Sequence, residues 1–199
     1  ILGGKVEGGH AIMTETFNGD TGVTTYSNGV GGNLYLDAKA KVIIGGDEAV
    51  KISGGKANRG GNIYIEDTTN TVLIDKSAVI ENGKAEPAYE GAEGYNGGNI
   101  YMLESTKVTI KGTVTGGHAW QGGNIAANGL STVTIDGGTV SNGTIDGWNG
   151  GNIQSNNGVV KLQNKATVSG GKANRYRGGN IYAGGGAELY ISDSTVSGG

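Results

Sequence analysis

Gly60-Gly61-Asn62-Ile63-Tyr64-Ile65 is the stretch whose reading decides the fold, because five further copies can be laid over it. They are Gly31-Gly32-Asn33-Leu34-Tyr35-Leu36, Gly97-Gly98-Asn99-Ile100-Tyr101-Met102, Gly122-Gly123-Asn124-Ile125, Gly150-Gly151-Asn152-Ile153 and Gly178-Gly179-Asn180-Ile181-Tyr182. Successive asparagines stand 29, 37, 25, 28 and 28 residues apart, the period of one coil of a solenoid. Inside a copy, Ile63 and Ile65 alternate with Tyr64, the period-2 pattern of a strand with one buried face.

Two more alternating triplets follow each copy. The first set is Val42-Ile43-Ile44, Val72-Leu73-Ile74, Val108-Thr109-Ile110, Val133-Thr134-Ile135, Val160-Lys161-Leu162 and Leu189-Tyr190-Ile191. The second is Val50-Lys51-Ile52, Ala78-Val79-Ile80, Gly112-Thr113-Val114, Gly138-Thr139-Val140, Ala166-Thr167-Val168 and Ser194-Thr195-Val196. Outer residues of each triplet read as buried and the middle one as exposed. The predicted fold is therefore all-β: a single-stranded parallel β-helix of three strands per coil and about six coils, with uncapped ends. One domain over residues 1–199 is expected, with loop insertions at 12–30 and 86–96. A single coil cannot hide its apolar positions, but coils stacked about 4.8 Å apart let each strand pair with its copies above and below.

Asparagine has no apolar reason to recur. Stacked at a bend, the amides of Asn33, Asn62, Asn99, Asn124, Asn152 and Asn180 can bond one another and the unpaired groups of the turn, an asparagine ladder. The two preceding glycines permit positive φ at the corner and leave room for the amide. Gly occurs 42 times and Pro once, which suits many short strands joined by tight bends. The 15 basic and 18 acidic residues are scattered, for a net charge of −3, so no basic stripe offers itself to nucleic acid. No apolar run approaches the roughly 20 residues of a membrane helix, and membrane insertion is not expected. There is no cysteine, hence no disulfide framework. The chain does not begin with Met, and it reads as a processed product or an excerpt.

Gly-Gly-Asn-Ile-Tyr, the Val-Thr-Ile-Asp-Gly-Gly-Thr-Val-Ser of residues 133–141 and the Thr-Val-Ser-Gly-Gly-Lys-Ala of residues 167–173 resemble the right-handed parallel β-helix repeats of large bacterial surface and adhesin-like proteins. They are more distantly similar to the Gly-Gly-Ala-Ile repeats of polymorphic outer-membrane proteins. The resemblance covers almost the whole chain. It implies the right hand of the helix, an extracellular or cell-surface location and a role that is not enzymatic. It says little about ligands, since such motifs are largely a packing code.

Enzymes built on β-helices need clustered carboxylates, often with Ca²⁺, and a base. Asp67, Asp75, Asp136, Asp146 and Asp193 fall in bends of different coils, so neither catalytic nor metal-binding residues, nor a cofactor, are expected, and a polysaccharide lyase or hydrolase is the least favoured reading. His10 and His118 occupy the place that Lys56, Lys84 and Lys172 take in other coils, a surface position. The Gly-Gly pairs lack the Lys-Ser/Thr ending of a phosphate loop.

Four exposed features remain. Tyr35, Tyr64, Tyr101 and Tyr182 are expected to form an exposed, broken tyrosine ladder. Arg59, Trp120, Trp148, Arg175, Tyr176 and Arg177 share one corner suited to glycans or lateral contacts. Asn142-Gly143-Thr144 fits a glycosylation acceptor at Asn142. Residues 4–11 match 112–119, so the chain opens and closes on a third strand, placing Val6 and Val196 at the two open faces. The expected function is an extracellular structural rod whose partner is itself, stacked head-to-tail into a fibre or set in an adhesin stalk. The alternative is a carbohydrate-binding module using the aromatic and arginine corner.

Overall fold

Short extended triplets between glycine bends find no partner within their own coil, so their backbone N–H and C=O groups must pair with neighbouring coils. The computed structural model describes residues 4–11, 14–18, 23–27, 29–37, 39–66, 70–88 and 91–199, with 14–18 and 23–27 as backbone only. It is all-β, with parallel sheets stacked as a solenoid of about six turns. The strands that follow Gly-Gly-Asn, from Leu34–Leu36 to Ile181–Gly184, form a six-stranded first face. Those from Lys41–Ile44 to Glu188–Ile191 form a six-stranded second face. Those from Gly4–Glu7 to Thr195–Ser197 form a seven-stranded third face.

The coil also carries a fourth strand that the three triplets do not predict. Lys56–Ala57, Lys84–Ala85, His118–Ala119, Thr144–Ile145 and Lys172–Ala173 pair into a parallel sheet of five two-residue strands at the corner. Two residues are too short to show a period. Their alternation appears only across the stack, where Ala57, Ala85, Ala119 and Ile145 are buried beneath outward Lys, His and Thr. Within the segment expected to be an insertion at 12–30, Thr14–Asn18 pairs antiparallel with Val23–Ser27.

Register is in phase from coil to coil, so Val72, Val108, Val133 and Val160 lie one above another, as do Ile74, Ile110, Ile135 and Leu162. All eight belong to one continuous core cluster. Each buried Val, Ile or Leu contributes roughly 1.5–3 kcal/mol. In the last coil the same inward positions are open: Leu189, Ile191 and Val196 are 41%, 51% and 42% exposed.

The Gly-Gly pair has two separate causes. The first glycine takes positive φ, +63° at Gly60 and +65° at Gly97, where a side chain is strained. The second is required by proximity: a Cβ on Gly98 would lie 2.2 Å from the carbonyl oxygen of Gly123 and 2.3 Å from the amide nitrogen of His118.

That closeness lets the asparagines touch. Asn33 donates from Nδ2 to Asn62 Oδ1 at 2.7 Å, and the same bond runs on from Asn62 to Asn99, Asn124, Asn152 and Asn180 at 2.7–2.8 Å. The other Nδ2 hydrogen goes to a carbonyl at the end of the third strand, Thr115 for Asn99 at 2.8 Å. Oδ1 accepts in addition from a bend amide, Gly83 for Asn99 at 2.8 Å. Every interior amide thus makes its full four hydrogen bonds. Asn99→Ala strands two neighbouring amides, the Gly83 N–H and the Thr115 carbonyl, and is expected to cost on the order of 4 kcal/mol. Asn33→Ala, at the partly exposed end of the row, should cost clearly less, as read from denaturant midpoints at unchanged slope.

Candidate functional site

With the inward positions committed to packing, recognition chemistry can only sit on the outward columns and the corner. The corner column lies in register as His10, Lys56, Lys84, His118, Thr144 and Lys172. Stacked ammonium groups repel, and Glu86 lies between two of them, 3.2 Å from Lys84 and 4.0 Å from Lys56. His118 is held on both sides, by Thr144 Oγ1 at 2.9 Å from Nδ1 and by Asp146 Oδ2 at 2.8 Å from Nε2. Asp146 Oδ2 also accepts from the Tyr95 hydroxyl at 3.1 Å.

The six-residue corner divides into two parts. Trp120 packs at a tilt on the buried Tyr95, ring centroids 5.6 Å apart, and lies flat against Gly147, where a Cβ would come within 2.3 Å of the indole. Trp148 and Tyr176 stack at 5.4 Å and 13° and are about half exposed; Arg175 and Arg177 beside them are exposed. Arg59 leaves this group. Its guanidinium carbon lies 5.5 Å over the Tyr101 ring on the first face, a cation–π contact.

The tyrosine ladder is present but not exposed as expected. Tyr35 and Tyr64 stack at 5.5 Å and 6°, and Tyr64 and Tyr101 at 5.3 Å and 11°. Tyr35 is 47% exposed, but Tyr64 and Tyr101 are only 5% and 4% exposed. Tyr64 is covered by the rings of Tyr35 and Tyr101, and Tyr101 by Tyr64 and Ala126, while Arg59, Val30 and Leu103 fold over the column from the bends on either side. Tyr182 is half-buried, and in the coils between, Ala126 and Gln154 are buried in the same column.

The remaining candidates are separate from one another. Asn142 sits exposed at φ +54°, its Nδ2 at 3.5 Å from Thr115 Oγ1 and Ser141 Oγ. Val6 is half-buried against the core at one end and Val196 is open at the other. Asp67 lies outside the described residues. Among those described, no three acidic or histidine side chains gather as a metal would require. Asp136 is engaged by the coils on either side, with Asn164 at 2.5 Å, Gln163 at 3.2 Å and Lys111 at 3.7 Å. The amide bonds, Asn164 first, hold its carboxyl below the usual range.

A second polar column was missed in the sequence. Asn70, Thr106 and Ser131, one before each of three successive second strands, are buried, and the Thr106 and Ser131 hydroxyls meet at 3.2 Å. The signal was a polar residue repeated at that place, obscured because its identity changes from coil to coil.

No family model, no curated protein and no solved structure matches this chain. Its chemistry must be read from its own side chains.

Burial, and then the Asp146 carboxylate, raise the Tyr95 phenol from 10.0 to about 12; the Glu66 carboxylate, bonded to the Tyr35 hydroxyl, and then burial raise Tyr35 to about 12 as well. A phenol raised in the folded state stabilises fully below pH 10 and loses that contribution as pH climbs toward 12. Tyr95→Phe is expected to cost about 1 kcal/mol at neutral pH, with the difference closing above pH 10. Denaturant titrations of both proteins across that range, with phenolate absorbance as the monitor, check it.

Proposed function

We propose that the chain is an extracellular structural rod, one segment of a surface fibre or stalk in which coils of a second copy continue the column end to end. The observation that carries this is the polarity of the amide ladder. Asn33 keeps an acceptor position and Asn180 a donor position that no described residue fills, so the two ends are complementary. The same end that offers the Asn180 donor offers Leu189, Ile191 and Val196, each in register with a buried residue one coil below. An open parallel edge over an apolar face favours addition of a like strand, and a head-to-tail contact of this kind grows without closing. The resemblance to repeats of bacterial surface proteins supports the location.

The second reading is glycan binding at Trp148 and Tyr176, favoured by their exposure beside Arg175 and Arg177. Their mutual stacking limits it, because each ring spends a face on the other, leaving edges and the outer faces for a sugar.

Electron microscopy of the purified chain at high concentration is expected to show filaments about 6 nm or longer. Discrete particles about 3 nm long, six coils at roughly 4.8 Å each, would count against the fibre. Ile191→Asp should abolish filaments while the circular dichroism stays β. Glycan-array binding that disappears in Trp148→Ala would promote the second reading.

A further inference from the structure

The second face breaks its own pattern at one place. Outward positions of a water-facing strand should be polar, as Thr109, Thr134 and Lys161 are, yet the first two coils put Ile43 and Leu73 there. They form the floor of an open cavity of about 470 Å³ on strands whose alternate residues, Val42 and Val72, pack inward against the core. That volume falls within the range of small-ligand sites, which are mostly apolar with a few placed polar groups.

The polar groups here are cationic. Lys41 and Lys107 occupy the same register position on either side of Thr71, two coils or about 9.6 Å apart. Lys111 closes the third side of the groove from the end of the Lys107–Ile110 strand. Its ammonium lies 3.7 Å from Asp136; Lys41 and Lys107 have no carboxylate within 4 Å among the described residues. Both are exposed. An aliphatic floor framed by ammonium groups, with no aromatic ring among the described lining residues, matches a flexible hydrocarbon chain carrying an anionic head.

We propose that this groove is a binding site for a single anionic acyl chain of the fatty-acid type, its tail on Ile43 and Leu73 and its carboxylate between Lys41 and Lys107. Charge complementarity selects the head: neutral amphiphiles gain the floor but leave the lysines unanswered. The size of the groove selects one chain over a bilayer. It spans three coils, the third already polar at Thr109, and the face beyond it continues with Thr134 and Lys161, so the described residues of this face offer no broad apolar area to a membrane surface.

The test is titration of the full chain with sodium dodecanoate below its micelle concentration, followed by calorimetry and by amide chemical shifts. Saturable binding with shifts centred on residues 41–43, 71–73 and 107–111 is expected. Dodecyl maltoside, with the same tail and no charge, should bind at least tenfold more weakly, and acetate not detectably. Leu73→Asp should abolish binding, the Lys41→Glu and Lys107→Glu pair should weaken it at least tenfold, and Thr134→Asp should leave it unchanged. All three sites face outward, and circular dichroism confirms that each variant folds. Equal affinity for the maltoside, shifts elsewhere, or dodecanoate binding that survives Leu73→Asp would overturn the site. Binding to phosphatidylglycerol vesicles without binding of monomeric dodecanoate would overturn the single-chain assignment in favour of a bilayer.

Discussion

Parallel pairing at a fixed spacing of about 4.8 Å is the constraint from which the rest of the molecule follows. It places each residue directly over its equivalent in the next coil, so any property of a position is multiplied along the axis. For an apolar side chain this is favourable at once, and the Val and Ile columns pack as one core. For a charge it is unfavourable, which accounts for Glu86 beside Lys84 and Lys56 and for Asp146 beside His118 in the corner column. For a primary amide it is close to ideal: two donors and two acceptor positions are used up by the copies above and below and by the two orphaned groups of the bend. Asparagine repeats at the corner because no other short side chain offers two donors and two acceptor positions at once.

The amide ladder and the glycine pair depend on each other. Asn62 and Asn99 come within 2.7 Å only because nothing projects from Gly61 and Gly98 into the coil above, where carbonyl oxygens would sit 2.3 and 2.2 Å from a Cβ. A larger residue at the second glycine would open the coil spacing locally and part the amides with it. The motif therefore acts as one unit, with a positive φ, a close approach and a hydrogen-bonded amide in three consecutive residues.

Most of the fold was legible in the sequence because stacking makes periodicity explicit. The triplets located all three long faces, the inward positions at Val72 and Ile74 or Val108 and Ile110 are buried, and the six asparagines form the ladder foreseen for them. What was not legible depended on neighbours across the sequence. Alternation sets Tyr64 and Tyr101 on the outward side of their strand, but it carries no information about Arg59 or Leu103 folding over them. Likewise, Arg59 and Trp120 occupy equivalent loops but adjacent register positions, Arg59 standing in line with Asn96 and Gln121, and this offset of one residue separates them onto different faces. The two-residue strands at the corner and the column of Asn70, Thr106 and Ser131 escaped because neither has enough length or constancy within one coil to register as a pattern.

A solenoid of this kind divides its positions by duty. Inward columns obey one packing code in every coil and cannot specialise without opening a void or a clash. Outward columns carry no such obligation, so a departure from polarity there is free to record something other than folding. The two departures differ in kind. On the first face, Tyr64 and Tyr101 are taken back into the protein by stacking and by Arg59, and the Tyr64 hydroxyl is directed toward Glu66. On the second face, Leu73 and its neighbours stay open beneath Lys41 and Lys107. The same solvent-facing register thus yields an internal brace where side chains from the bends close over it and, among the described residues, an open groove on the second face. Which of the two arises is decided by the bends, the part of each coil that the repeat leaves least constrained.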